Sequence, residues 1–335
     1  MVGKIIVLTP VKNEAWILEK FLSITSLFAD HIIIADQASG DESVALCKKF
    51  PKVTVIENIQ QTYNEDDRQK LLINTARSMF PDDKRILMAL DADEILAADS
   101  LQPAYWEVIK QLPEGTTIYF EKPDMLEGME YCMRWRDNYF ALGYVDDGAS
   151  HHEAKKVHSK RVPSLIPEVR FNEHNIKFMH YAFTRPRAQS AKLRFYSVTE
   201  NIYQTSRVHL RRKWYKCFFD IDNFVDSSKK ERVPAEWTDG WLAKNIDVKN
   251  VGDVRISWHD YEVLKHFSHY GEQKFYLDNI WGVDWEYYRQ QAIKNGVAGI
   301  SEKSIKKQPL PHRVAGKIID TAYDFYHKMR HSGRK

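Results

Sequence analysis

The sequence predicts an α/β protein built on a doubly wound, mostly parallel sheet, with a mainly helical extension behind it. Three observations carry this. Short, continuously apolar segments alternate with amphipathic helical stretches through the first hundred residues, which is the pattern of strands buried on both faces joined by crossover helices. Each of those segments ends in polar residues rather than in a hairpin turn. Beyond residue 192 the apolar positions recur at spacings of three and four and are rich in aromatics, as in packed helices. The expected division is therefore 1–192 for the α/β part and 193–335 for the helical part.

Taken in order, Lys4 to Leu8 is a β-branched strand followed by the loop Thr9-Pro10-Val11-Lys12-Asn13-Glu14 and a helix from Ala15 to Phe28. A second strand, His31 to Ala35, ends at Asp36, and the turn Gln37-Ala38-Ser39-Gly40-Asp41 caps a helix from Glu42 to Phe50. Val53 to Ile56 is the third strand, and a helix from about Asp66 to Met79 leads to the fourth, Ile86 to Leu90. Right-handed crossovers between these strands give a parallel sheet. Further strands are expected at Thr116 to Lys122 and at Ile176 to Met179, the latter ending in His180. Gly143 to Gly148 and Lys156 to Pro163 read as loops and short strands around a cleft, and Ser227 to Thr238 as a charged loop. Tyr261 to Tyr288 is mostly helical, and Lys317 to Arg330 is a basic amphipathic helix that could touch a membrane surface, although a solvated helix has the same pattern.

Composition excludes more than it selects. The 335 residues are 43% hydrophobic, and 49 basic against 46 acidic side chains leave a net charge of +3, so neither disorder nor nucleic-acid binding is signalled. Cys47, Cys132 and Cys217 are odd in number and far apart, without metal spacing or a disulfide framework. No apolar run is long enough to cross a bilayer and the chain opens directly on a strand, so a cytoplasmic protein is expected.

The chemistry concentrates at Leu90-Asp91-Ala92-Asp93-Glu94, where a buried strand ends abruptly in carboxylates. Ligands of open α/β sheets collect beyond such strand ends, and Asp91 and Asp93, separated by a small residue, can reach one hard cation. Mg2+ or Mn2+ accepts one or two carboxylates and completes its shell with water and phosphate oxygens. A solvated turn is the plain alternative. Neither a Gly-x-Gly-x-x-Gly turn nor a Gly-Lys-Ser/Thr phosphate loop occurs, so a nucleotide would have to be held differently. Asp36 could accept an imide or amide hydrogen of a base, and Arg68 or Lys70 could meet a phosphate.

Thr9-Pro10-Val11-Lys12-Asn13-Glu14, Asp36-Gln37-Ala38-Ser39-Gly40-Asp41 and Leu90-Asp91-Ala92-Asp93-Glu94 together resemble, in order and spacing, the nucleotide-sugar domain of family 2 glycosyltransferases with the GT-A fold. Gln37 departs from the Asp or Asn usual at its position. The resemblance implies that Thr9, Pro10 and Glu14 line the nucleoside pocket, Asp36 holds the base, Arg68 approaches the donor, Asp91 faces the ribose side and Asp93 binds Mn2+ or Mg2+. It also implies a second metal ligand from a late histidine, here His180, whose imidazole binds only when neutral, so that affinity falls at acid pH. By the same likeness Arg185 and Lys192 accompany the leaving diphosphate.

The implied activity is inverting transfer of a sugar from a nucleoside diphosphate donor, a UDP-sugar, to a hydroxyl of a glycan or glycolipid acceptor, in the setting of cell-envelope polysaccharide or lipopolysaccharide synthesis. Single-step inversion needs a carboxylate to take the acceptor proton. Asp146, Asp147, Glu168 and Glu173 are available, and Asp147 and Glu173 are favoured by their position between the metal strand and His180. The Glu-Asp pair of many family 2 enzymes is missing. Two rivals share the architecture: a nucleotidyltransferase, which ordinarily carries a glycine-rich basic loop after the first strand, and a silent sugar- or protein-binding module.

Overall fold

The computed structural model describes residues 2–57, 65–134, 138–152, 160–171, 176–219 and 230–332. In chain order the elements are β1 (Lys4–Val11), α1 (Ala15–Thr25), β2 (His31–Asp36), α2 (Ser43–Cys47), β3 (Val53–Glu57), α3 (Glu65–Met79), β4 (Arg85–Ala89), β5 (Glu94–Leu96), α4 (Pro103–Gln111), β6 (Thr117–Glu121), β7 (Asp124–Leu126), β8 (Tyr131–Met133), β9 (Tyr139–Val145), β10 (Glu168–Arg170) and β11 (Phe178–Phe183). They are followed by α5 (Pro186–Tyr203), α6 (Val208–Phe219), β12 (Lys230–Arg232), α7 (Asp239–Leu242), α8 (Trp258–Tyr270), α9 (Trp285–Lys294) and α10 (Leu310–Ser332).

The α/β architecture with C-terminal helices is the one expected. A seven-stranded sheet has the order β10-β6-β9-β4-β1-β2-β3, with β3, β2, β1 and β4 mutually parallel. The period of two along each strand sends alternate residues to opposite faces. Ile5, Val7, Ile32, Ile34, Ile86 and Met88 pack with α1, α2 and α4, whereas Ile6, Leu8, Ile33, Ala35, Leu87 and Ala89 pack under α3. Winding runs outward from β1 through β2 to β3, then returns to place β4 on the other side of β1. The ends of β1 and β4 therefore flank the point where strand order reverses, and there the loops diverge and leave a crevice.

Gly143-Tyr144-Val145, expected among loops and short strands around a cleft, lie instead in β9, which runs antiparallel between β4 and β6 in the middle of the sheet. Gly143 lies opposite Met88, and a Cβ there would meet Met88 Cγ at 3.4 Å, so the missing side chain makes room for a large neighbour. A second sheet, β12-β8-β7-β11-β5, also escaped notice, because its strands are mostly three residues long and Lys230-Glu231-Arg232 carries no apolar residue.

The chain forms two compact units, Met1–Thr184 with Ser228–Gly252, and Arg185–Ser227 with Asp253–Lys335. The boundary expected at 192/193 falls inside α5, and the return of 228–252 to the first unit has a physical cause. The Trp241 indole donates to the Leu96 carbonyl at 2.8 Å, Tyr181 Oη donates to the Val248 carbonyl at 2.9 Å, and Trp237, Trp241 and Val248 join the apolar core. In the second unit, Arg194 pairs with Asp260 and Arg211 with Asp278, both buried, tying α5 to α8 and α6 to the segment after α8. Cys47 and Cys132 are buried free thiols, which burial pushes up to about 11.

Candidate active site

Two loops expected to receive a nucleoside are laced together. Asn13 N donates to Ser39 Oγ (2.9 Å), Glu14 N to Ser43 Oγ (3.0 Å) and Ala15 N to Asp41 Oδ2 (3.0 Å), while Gly40 N returns a bond to Asn13 Oδ1 (2.7 Å). Asp41 thus serves the amino ends of both α1 and α2, since its Oδ1 accepts from Ser43 N. Ala38 is held at φ 55°, a left-handed conformation costing a non-glycine residue about 1–2 kcal/mol, which the lacing sustains. Trp16 Nε1 donates to Glu14 Oε2 at 2.6 Å. Pro10 is the last but one residue of β1 and is partly exposed.

Asp36 closes β2 and is buried. Its Oδ2 accepts from Ser39 N, but Oδ1 has no hydrogen-bond partner among the described residues. The same holds for Thr9 Oγ1, which is fully buried on β1. Strand parity puts both side chains on one face of the sheet, and a buried acceptor without a partner costs about 1–3 kcal/mol until something donates to it. Arg68, in the first turns of α3, donates to Gln37 Oε1 at 3.1 Å, so the side chain at residue 37 steadies this guanidinium just past the end of β2.

After β4 the chain turns through Asp91-Ala92-Asp93-Glu94, closed by Glu94 N donating to the Asp91 carbonyl at 3.0 Å, and enters the second sheet as β5. Glu94 is completely buried beneath this turn and is the residue that sequence reasoning undervalued. Its Oε2 accepts from Asp91 N (3.0 Å) and Arg161 Nη1 (2.6 Å), and its Oε1 from Lys122 Nζ (3.0 Å). Burial pushes the carboxyl upward, and the charges of Arg161, Lys122 and His180 outweigh that and hold it far below the ordinary glutamate value. Arg161 also pairs with Asp91 Oδ2, so one guanidinium clamps both ends of the turn. No sequence signal marks Arg161 or Lys122, which lie 67 and 28 residues from Glu94.

Asp93 points elsewhere, toward β11. His180 Nε2 lies 3.7 Å from Asp93 Oδ2, and His180 Nδ1 is bonded to Asp124 Oδ1 at 2.5 Å. Pairing fixes this meeting: His180 is opposite Glu94 in the antiparallel β11–β5 ladder and opposite Asp124 in the parallel β11–β7 ladder. A carboxylate behind one imidazole nitrogen orients the ring and presents the other nitrogen as a ligand, the arrangement seen behind metal-bound histidines. At 3.7 Å the two donors stand wider than neighbouring positions on one octahedral cation, about 3 Å apart with bonds near 2.1 Å, so holding one ion would draw them together by about 0.7 Å. Among the described residues no group of three or more His, Cys, Asp or Glu forms a metal cage. Such a pair would leave the remaining positions of Mg2+ or Mn2+ to phosphate and water. Asp124→Asn should weaken Mn2+ affinity about 10- to 100-fold, read by titration of the free protein.

The remaining expected residues fall apart from this pair. Asp146 is buried and tied to Arg77 (2.7 Å) and Arg85 (2.8 Å), so it is a structural anion and not an available base. Asp147 is exposed and closes its own turn, its Oδ1 accepting from Ala149 N and Ser150 N and its Oδ2 from Ser150 Oγ. Its slight burial raises its pKa, the Ser150 and Ala149 hydrogen bonds more than reverse this, and the net lowering reduces its basicity. Glu168 is exposed on β10 and accepts from Tyr119 Oη. Glu173 lies outside the described residues. Arg185 precedes α5 as its N-cap residue and Lys192 lies on that helix, both in the second unit.

No family model matches the chain, and no curated protein does. Among solved structures, glucosyl-3-phosphoglycerate synthase from Mycobacterium tuberculosis, in complex with Mn2+, UDP and glucosyl-3-phosphoglycerate, is similar at 18% identity and a TM-score of 0.25, over 36% of this chain and 44% of that one. The same synthase with Mn2+, UDP-glucose and phosphoglyceric acid gives 18% identity and 0.25, over 37% and 44%. A 4-diphosphocytidyl-2C-methyl-D-erythritol synthase is similar at 16% identity and 0.29, over 46% of this chain and 73% of that one. The chain thus spans less than half the length of the first synthase, and the likeness is distant and partial.

Proposed function

We propose that this protein is a metal-assisted glycosyltransferase, moving a sugar with inversion from a UDP-sugar to a hydroxyl of a glycan or glycolipid acceptor. The observation that carries the reading is the convergence of Asp93 and His180 at 3.7 Å, with Asp124 behind the imidazole, just past the end of β4 at the switch point. The three motifs resembling family 2 enzymes support it, because the first two prove to be laced into one loop pair and the third leads into the Asp93–His180 pair.

Asp93 and His180 would hold Mn2+ or Mg2+, which when bound neutralises charge gathering on a departing diphosphate. The protein's own residues do the rest. Asp36 Oδ1, buried and without a donor, accepts the imide hydrogen of uracil, and Thr9, Pro10 and Glu14 line the nucleoside. Arg68 is held toward the donor by Gln37. Asp91, its backbone fixed by Glu94 and its side chain by Arg161, faces the ribose side. The resemblance assigns Arg185 and Lys192 to the leaving diphosphate. Of the two carboxylates favoured by position for the acceptor proton, Asp147 follows β9 beside Arg85, at the opposite end of β4 from Asp93, which leaves Glu173.

Calorimetric titration of UDP into the protein with Mn2+ and with EDTA tests the donor site, and metal-dependent release of UDP from UDP-sugars tests turnover. Binding that ignores the metal would overturn the metal role. Release of pyrophosphate from a sugar phosphate and a nucleoside triphosphate would identify a nucleotidyltransferase instead. Asp36→Asn should lower UDP affinity about 10- to 100-fold, the cost of losing a hydrogen bond to a charged acceptor, and should narrow the preference for UDP over CDP in the same titration.

A further inference from the structure

α10 is amphipathic in an unusual sense, because the face turned away from the protein is the apolar one. Its packed face carries His312, Gly316, Asp320 and Tyr323. Arg212 Nε bonds Asp320 Oδ1 at 2.8 Å, His209 stacks on Tyr323, His312 lies against Tyr276, and a Cβ at Gly316 would meet the Arg212 guanidinium at 2.8 Å. These residues recur every three to four positions and hold the helix against α6 and Tyr276 by polar, aromatic and close backbone contacts.

On the other side stand Leu310, Val314, Ile318, Phe325 and Met329, exposed to 60%, 47%, 62%, 64% and 60%. At 100° per residue they fall within an arc of roughly 100°, a continuous apolar stripe along a helix of roughly 35 Å. Exposed single apolar residues are ordinary, but an aligned row of them marks an interaction surface. Tyr326 is exposed beside it. The charge around the stripe decides what it meets. Lys303, Lys306 and Lys307 lead into the helix and Arg313 and Lys317 flank its first turns, all exposed. Against them, among the described residues, stand two exposed acids, Glu302 before the lysines and Asp324, because Asp320 is engaged by Arg212. Stripe-to-stripe pairing of two copies would bring these cations together, whereas lipid phosphates neutralise them.

We propose that α10 seats the second unit on an anionic lipid surface. The helix lies in the plane of the interface, with Leu310, Val314, Ile318, Phe325 and Met329 at the acyl boundary and Arg313 and Lys317 on lipid phosphates. It does not cross the bilayer, since no described helix is long and apolar enough for that. This inference is independent of the proposed chemistry.

Co-sedimentation of the full chain with vesicles tests it. Vesicles of phosphatidylcholine mixed with phosphatidylglycerol should bind the protein, pure phosphatidylcholine should bind it at least tenfold less, and high salt should release it. Arg313→Ser with Lys317→Ser should lower partitioning about 30-fold, near fivefold per charge. Ile318→Glu with Phe325→Glu should lower it more than tenfold, and both changes lie on the exposed face, so circular dichroism should match the parent. Equal partitioning to neutral and anionic vesicles, or none to either, overturns the proposal without any variant. So does light scattering that shows a dimer which Ile318→Glu with Phe325→Glu dissociates while vesicles leave the protein in solution.

Discussion

Asp93→Ala should remove Mn2+-dependent binding of UDP, lowering affinity at least about 100-fold and sugar transfer by about 1,000-fold or more. The magnitude follows from the several kcal/mol that a divalent cation supplies at a diphosphate, at 1.36 kcal/mol per factor of ten. Asp93 is the better test because its side chain carries little of the fold: it faces His180 across 3.7 Å, while the turn around it is held by Glu94 and Arg161. Thermal unfolding without metal should therefore be nearly unchanged. Titration of UDP into the variant, with Mn2+ and with EDTA, reads the effect directly. If Asp93→Ala binds UDP as tightly as the parent, Asp93 is not a ligand and the donor site lies elsewhere.

Glu94→Ala should act on stability before it acts on function. The carboxylate is fully buried and paired with both Arg161 and Lys122, so removing it strands Lys122 in the interior and leaves the half-buried Arg161 with Asp91 alone, at a cost of about 3 kcal/mol. In a unit of this size that corresponds to a fall of roughly 10 °C in Tm. The turn also loses the acceptor for Asp91 N, so UDP affinity should fall with it. The pH dependence has a definite sign. The folded-state pKa of Glu94 is depressed, so its stabilisation is complete above the ordinary glutamate value of 4.5 and is lost progressively as pH falls below it. Denaturant midpoints of the parent should drop across that acid range, and Glu94→Gln should show a shallower drop. A variant as stable as the parent at neutral pH would show that the buried pair contributes nothing net.

The sequence alone determined the parallel half of the fold. Apolar runs such as Ile5 to Leu8 and Ile32 to Ala35 are unambiguous because a strand covered on both faces must be apolar at every position, and the carboxylates after Leu90 fall at a strand end by that same pattern. The positions of Asp36 and Asp93 at strand ends were legible for this reason. What the tertiary structure decided is everything that depends on long-range pairing. β9 read only as one of several short strands or loops around a cleft, since the glycine that lets Met88 pack against it also breaks the apolar run, and its place between β4 and β6 is set by long-range pairing. Lys122, Asp124 and Arg161 carry no local signature, because their roles come from β7 lying beside β11 and from a loop segment reaching Asp91 and Glu94 across 70 and 67 residues. Periodicity records which face of an element is buried, but a neutralising charge or an orienting carboxylate is chosen by which strands become neighbours, and that is fixed only when the two sheets form.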